Sequence, residues 1–362
     1  AVLAGAGTRE VKAADKAKIG VLVADVSGEE AQGFRSYYEN YIAGNYDVEF
    51  NYTDALQSAE DEKTAIEKFA SQGCQAIISF SSNDRVQQIE TCEKYGVYYA
   101  VASGVLDDAQ YETYKTYEYF AGQVGPGNDT EFEAGKDMGA YYKEQGVSKV
   151  AIYGAFIPNP MHVYRVAGVL NGLGCTYGGE SDMNAIAGQI FQDQTVDLSK
   201  VEGDVEVVSY LQGYGDTTTD ELNAAIQKTP DAFISVGMAT TFFAQSLSEA
   251  GISFSDIDSF TETNGNSMKN GTLTYLAGKY SSSIGPVFAL VMNAINGNVI
   301  RDEDGNAPSI SQGYLVATDS DTFDKYSVSD SGDAPIYDKE TLDSIIGDNV
   351  TFEDVKTLVE SK

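Results

Sequence analysis

The sequence predicts an α/β protein made of two successive parallel-sheet lobes, and three observations carry that prediction. From Lys18 onward, short β-branched runs alternate with amphipathic stretches. The runs are almost continuously apolar, which marks strands buried on both faces. Strand, helix and strand recur about every 25 residues, the spacing of right-handed crossovers in a parallel sheet. A chain of 362 residues also exceeds what a single core usually organises, so two lobes are expected.

The elements follow in order. The first half reads as strand 18–24, helix 30–43, strand 47–52, helix 59–72, strand 75–80, helix 84–95 and strand 97–102. The helix at 59–72 shows the reasoning: Ala65, Ile66, Phe69 and Ala70 share one face, Glu62 and Lys63 lie opposite, and Gly73 closes the end. A Tyr-rich segment, 111–123, is given no strand. It leads to Gly125-Pro126-Gly127, a turn that reads as a change of lobe. The pattern then restarts with helix 130–145, strand 149–154, helix 161–171, strand 204–211, helix 217–228, strand 231–237, helix 239–250 and strand 256–261. Residues 262–271 read as a polar turn, followed by strand 273–278, helix 283–296, strand 313–318 and two short terminal helices. Thr351 with Asp354 forms a capping box for the last helix. Residues 172–203 are Gly-rich and aperiodic, too long for a routine loop, and read as an insertion.

Composition narrows the function. There are 23 Lys+Arg against 55 Asp+Glu, a net charge of −32. Nucleic acids and anionic bilayers are bound through basic side chains, so both are excluded as partners. The hydrophobic fraction of 42% rules out a disordered acidic chain. His162 is the only histidine, which removes multi-histidine metal sites. Cys74, Cys92 and Cys175 fit neither a zinc pattern nor a CxxC motif and read as buried thiols. No phosphate-cradling loop, dinucleotide fingerprint or GxSxG elbow is present, so no catalytic residue, cofactor or metal is assigned. Asp302, Asp304 and Asn306 suggest a calcium loop, but Ala307 stands where glycine is needed and Gly313 where glutamate is, so a polar turn is read there.

Residues 1–17 read as an exported N-terminal linker. Leu3-Ala4-Gly5-Ala6 resembles a bacterial lipobox with Ala6 in the place of the lipid-bearing cysteine, and Val11-Lys12-Ala13 resembles a cleavage site. An extracellular, cell-surface or periplasmic location is expected.

Three stretches, AKIGVLVADVSGEEAQGF, TETNGN and AGKYSSSIGPVFALVMNAINGN, resemble the type I periplasmic solute-binding proteins, the ribose- and galactose-binding class that feeds ABC importers. The resemblance implies two doubly wound lobes joined by a three-segment hinge, with a ligand clamped between them. It implies a first lobe of 18–123 plus 272–298 and a second of 124–262 plus 312–362, with crossings near 123–127, 262–272 and 297–312. It further implies a non-enzymatic monomer that binds a sugar or similar polar molecule and hands it to an ABC permease and ATPase.

Ligands of open parallel sheets bind beyond the carboxyl ends of the strands. The candidate contacts are therefore Asp25, Ser27 and Glu30 (with Glu29 beside them), Asn83, Asp84 and Ser103 in the first lobe. In the second they are Phe156, His162, Arg165, Tyr214, Asp216, Met238, Thr240, Glu262 and Asn264. Lys279 is expected to return to the cleft from the first lobe. Arg165 matches the family's habit of placing an arginine at this helix start, and its replacement by Ala is expected to weaken binding while leaving the fold intact. The chain departs from the sugar-binding pattern at Glu30 and Ala31, where aromatics are usual. It departs again at Gly237-Met238-Ala239-Thr240, where an Asn-Asp pair is usual, and at Lys279, where glutamine is. A nucleoside or amine ligand in the same fold, and a ligand-sensing domain or an α/β enzyme without recognisable motifs, are the alternatives. A regulator would need a DNA-binding headpiece, for which 17 residues are too few.

Overall fold

The computed structural model describes residues 15–330 and 334–362; the lipobox-like and cleavage-like motifs lie outside them. The first five strands are β1 (Ala17–Val23), β2 (Val48–Ala55), β3 (Ala76–Ser79), β4 (Tyr98–Val101) and β5 (Phe120–Gly125). The next seven are β6 (Lys149–Tyr153), β7 (Thr176–Tyr177), β8 (Val201–Glu202), β9 (Glu206–Leu211), β10 (Ala232–Ser235), β11 (Ser253–Ser259) and β12 (Leu273–Lys279). β13 (Ser309–Ser311) and β14 (Leu315–Ala317) complete them. One six-stranded sheet runs β13-β5-β4-β3-β1-β2 and is wholly parallel; the other runs β14-β12-β11-β10-β6-β9 and is parallel except at β14. The apolar runs read from the sequence are the buried strands: β3 and β10 are buried at every residue. In each sheet the strand order reverses beside the first strand, between β1 and β3 in one lobe and between β6 and β10 in the other. Those reversals open a crevice at the carboxyl edge.

Two helices of the second lobe meet backbone to backbone. Asn128–Glu144 carries Gly135 and Gly139, and Pro160–Gly172 carries Gly168 and Gly172, each pair one turn apart. A Cβ on Gly168 would stand 2.0 Å from the Phe132 carbonyl oxygen, and one on Gly135 2.0 Å from that of Arg165. Only hydrogen at these positions lets the helices approach so closely.

Several elements differ from the sequence reading. The Tyr-rich segment holds helix Asp108–Tyr114 and β5, a strand whose Gly and Gln residues hide its burial. Residues 262–271 form helix Glu262–Lys269, capped by the Thr261 hydroxyl, which accepts from the Asn264 amide. The 172–203 insertion is the β7–β8 ribbon and helix Met183–Asp193. Residues 272–279 were expected in the first lobe; β12 instead pairs with β11 in the second sheet, and the chain crosses after Lys279. The third crossing lies at 312–314, between β13 and β14. Residues 334–362 were expected with the second lobe but pack on the first: Asn293 donates to the Ile345 carbonyl and Tyr37 to that of Tyr337. Fully buried Tyr337 also donates through its hydroxyl to Gln312 and through its amide to the Ser282 hydroxyl oxygen, tying two crossings together. Asp302 Oδ1 accepts from the amides of Asp304 and Asn306, a polar turn. The three cysteines are buried free thiols. Among the described residues no helix is long and apolar enough to cross a membrane.

Gly168→Ala should therefore destabilise by at least about 2 kcal/mol, because two backbones must separate. Gly188→Ala, in helix Met183–Asp193 with open space around its Cβ position, should be neutral or stabilising by up to about 1 kcal/mol. Urea unfolding of the two variants checks the contrast; equal behaviour would show that the close approach is not needed.

Candidate functional site

The carboxyl edges of the two sheets face one another across three adjoining cavities. The largest, about 950 Å³, lies against the crossings and is lined by Gly125, Glu131, Lys279, Ser311 and Tyr314 among others. One of about 250 Å³ follows β1 and β3 in the first lobe, and one of about 170 Å³ spans the lobes. Ser103 lines the first two, Glu30 the second and third, and Lys279 the first and third, so the three make one cleft.

Local sequence explains the first-lobe wall. The Asp25 carboxylate accepts from the Ser27 amide at 3.0 Å and the Gly28 amide at 3.3 Å, closing a turn into the helix that starts at Glu29. Those amides, the Ser27 one foremost, hold its carboxyl below the usual range. Glu30 and Phe34 share a helix face, four residues apart, and Phe34 packs on Phe80 at 5.4 Å. Arg35 lies 4.4 Å above the Tyr52 ring and pairs with Glu39 at 3.1 Å. The Tyr52 hydroxyl is buried in this wall without a hydrogen-bond partner. Buried polar groups in that condition are uncommon, and a ligand is one way of satisfying them.

The loops at the carboxyl edge of the second sheet are aromatic and tightly turned, although the rings of Tyr214, Phe156 and Phe242 line none of the three cavities. Tyr214 is 60% exposed and stacks on Phe242 at 4.1 Å, with Phe156 edge-on to Phe242 at 6.2 Å. Ala155 (φ 51°) and Met238 (φ 68°) follow β6 and β10, the two strands of the reversal, in the left-handed region. Non-glycine residues there carry strain that surrounding structure must sustain, a feature concentrated at ligand sites. Polar contacts between the lobes include Glu30, which accepts from Ser259 Oγ at 3.2 Å and pairs with Lys279 Nζ at 3.3 Å, and Asp330, which accepts from the Ser281 amide and hydroxyl.

Of the residues expected at the ligand, Asp25, Glu30, Ser103 and Lys279 line the cleft, and Glu29 lines its smallest part. Lys279 reaches it from the second sheet, not the first, because β12 ends there. Phe156, Tyr214 and Met238 are exposed at the carboxyl edge. Ser27 bonds to Asp25, Asp216 is an exposed loop residue, and Glu262 is exposed in the first turn of its helix.

Others turn inward. Arg165 is 2% exposed: Nε meets Glu131, one terminal nitrogen donates to the Val236 carbonyl at 2.9 Å and the other to the Tyr314 hydroxyl at 2.8 Å. Burial opposes its charge, but Tyr314 and Glu131 outweigh that and raise its pKa. Tyr314 also donates to Glu131, completing a buried cluster beneath the largest cavity. His162 is buried, accepts from the Phe156 amide through Nδ1, and is pushed down to about 4 by burial and by Arg165, so it is neutral at physiological pH. Asn83 and Asp84 serve buried Glu62, which accepts from both their amides, while Asp84 caps its helix. Thr240 and Asn264 bond to each other, and further to Asp256 and Asp258. These six serve as struts because their polar groups already have protein partners, although Asn83 itself stays exposed.

The sequence reading missed Phe34, Arg35, Tyr52 and Phe80. The spacing of Phe34 four residues after Glu30 was the available signal. It also missed Glu131 and Tyr314, whose relation to Arg165 is visible only in three dimensions. Among the described residues no group of three or more His, Cys, Asp or Glu is placed to hold a metal ion.

No protein-family model matches the chain, and no curated protein sequence does either. Solved structures do. The arabinose ABC-transporter periplasmic binding protein from Shewanella sp. ANA-3, bound to L-arabinofuranose, is 16% identical, with a TM-score of 0.58 over 85% of this chain and 94% of that one. An ABC-transporter solute-binding protein from Bacillus halodurans C-125 with myo-inositol is 16% identical, with a TM-score of 0.59 over 88% and 99%. One from Actinobacillus succinogenes 130z with D-allose is 16% identical, with a TM-score of 0.63 over 86% and 100%. The chain thus has the type I periplasmic-binding-protein fold.

Two predictions follow from the inward-turned residues. Arg165→Ala should destabilise the fold by about 3–5 kcal/mol, since it strands the Glu131 carboxylate; Glu131→Gln with Arg165→Met should recover part of this. A chemical-denaturation cycle measures it, and an Arg165→Ala protein of unchanged stability would return Arg165 to the ligand. Asp256, wholly buried, is pushed up to about 7 by burial and then by Asp258. Its folded pKa exceeds the unfolded value, so its stabilising effect is full below about pH 4 and is lost as pH rises through 7. Relative to wild type, Asp256→Asn should gain stability between about pH 4 and 7, by at most about 4 kcal/mol, and level off above. Parallel pH profiles for the two proteins would refute this.

Proposed function

We propose that this chain is the exported, non-catalytic substrate-binding component of an ABC importer, closing its lobes on a sugar or a similarly neutral polyhydroxy molecule. The observation that carries this reading is the charge arrangement of the cleft. Lys279 is paired with Glu30, Arg35 with Glu39 and Arg165 with Glu131, while Arg85 donates to the Ser103 and Val105 carbonyls. Asp25 and Glu29 add negative charge beside them. Phosphorylated or carboxylated ligands would be repelled, whereas a neutral molecule can exchange hydroxyls into half-exposed pairs that already both donate and accept. The exposed rings of Tyr214 and Phe156 offer flat faces to the C–H side of a sugar ring.

Solved structures of this fold hold arabinofuranose, myo-inositol and allose, which supports the same ligand class. Two lobes joined by short crossings support hinge closure, with the closed pair as the form presented to a permease and its ATPase. The acidic first loop favours a second reading, an amine- or nucleoside-binding protein of the same architecture.

A thermal-shift screen of pentoses, hexoses, inositols, nucleosides and polyamines separates the two readings, with small-angle scattering on any hit. A sugar or polyol should raise the melting temperature, by about 2.7 kcal/mol of added stability at a hundredfold excess over Kd, and should reduce the radius of gyration. Glu30→Gln and Lys279→Met should each weaken that ligand about tenfold or more. A shift only with amines or nucleosides selects the second reading, and turnover of a hit would overturn both.

A further inference from the structure

The cleft is larger than its inner part requires. The inner cavity following β1 and β3 has about 250 Å³, while the one against the crossings has about 950 Å³. The latter lies at the top of the range, roughly 300–1,000 Å³, that encloses drug-sized ligands. Its outer walls come from two segments that stand apart from the βα repeat. In the first lobe, helix Asp108–Tyr114 contributes Asp108, Gln110 and Tyr111. In the second lobe, helix Met183–Asp193 of the insertion contributes Asn184 and Phe191, and the neighbouring helix contributes Tyr164.

These side chains are organised. Tyr164 meets Phe191 edge to face at 6.2 Å and donates to Asn184 Oδ1 at 3.2 Å, which fixes its ring. Tyr111 donates to the Ala307 carbonyl at 2.7 Å. The two walls line one cavity, and the Tyr164 phenol is raised by burial and then by the charge of Asp108 from the opposite lobe. Held aromatic rings beside amides and a carboxylate present both surfaces that a sugar ring needs, a flat face for its C–H groups and polar atoms for its hydroxyls. Ser103 and Lys279 connect this region to the inner cleft.

We infer that the region between Tyr111 and the Tyr164–Phe191 pair is a second saccharide subsite, so that the ligand is a disaccharide or longer oligosaccharide and not a single sugar. This rests on the sugar reading above and specifies its substrate class. The insertion at 172–203 is then the element that lengthens the cleft.

Calorimetry on the full chain tests it, with xylose, arabinose, glucose and galactose each titrated beside the disaccharide and trisaccharide of the same unit. At least one disaccharide should bind about tenfold or more tightly than its monosaccharide. Tyr164→Ala or Phe191→Ala should bring that ratio to within about twofold while leaving monosaccharide affinity in place. Asp108→Ala, at an exposed position, supplies a second variant if the aromatic ones misfold. A monosaccharide that binds as tightly as its oligomers, or a ratio indifferent to all three variants, overturns the second subsite and leaves the sugar reading standing. Binding of none of these saccharides, of any length, overturns both.

Discussion

The close approach of two second-lobe helices, permitted by four glycines, is the constraint on which the cleft depends. With Gly135 and Gly139 set against Gly168 and Gly172, the helices touch through backbone. Side chains at the edge of that contact then have fixed partners. Glu131 and Arg165 lie on the two helices at the point where they reach the sheet edge, and Tyr314 arrives from the third crossing to bond to both. A buried ion pair with every guanidinium nitrogen engaged is costly to disturb. The position of the third crossing relative to the second lobe is thereby set by packing several residues away from any ligand. The first lobe has its own anchor at the crossings, where Tyr337 joins Ser282 and Gln312.

Against these fixed points, the Glu30–Lys279 contact between the lobes is of another kind. Lys279 and Glu30 are each about one-third exposed, and exposed ion pairs contribute only about 0–1 kcal/mol. Such a contact can bring the lobes together without holding them there. A ligand competing for the same atoms therefore faces little resistance, while the rigid cluster below keeps the cleft walls in register. Preorganised walls with an exchangeable bridge suit a protein that must bind and later release.

The sequence made the architecture legible where burial imposes a pattern. DAFISVG and QAIISF could only be strands covered on both faces, and each is. Helix Ala59–Ser71 was legible through its amphipathic face and Gly73 at its end; its Ser58 cap emerges only in the structure. β5 was not, because Gly122 and Gln123 interrupt its apolar run; nor was helix Glu262–Lys269, whose Asn and Gly residues imitate a turn. The loops nearest the ligand were legible as loops, since strand ends can be counted. Whether a polar side chain in such a loop faces the cleft or the interior was not. Arg165 finds Glu131 34 positions away and Tyr314 149 positions away, and nothing in PMHVYRVAG reports either.

The same distinction bears on the net charge of −32. Excess carboxylates on solvated helices and loops govern solubility and repel nucleic acid, but they say little about what the cleft accepts. What matters there is how each scarce cation is partnered. Arg165 is committed to the fold, Arg85 donates to the Ser103 and Val105 carbonyls, Arg35 is held between Glu39 and the Tyr52 ring, and Lys279 is shared with a carboxylate that remains partly in water. Only the last can rearrange without breaking the structure around it. The Lys279–Glu30 pair is consequently the exchangeable ionic contact of this cleft, set beside the Phe34, Phe260 and Tyr280 rings in its smallest part.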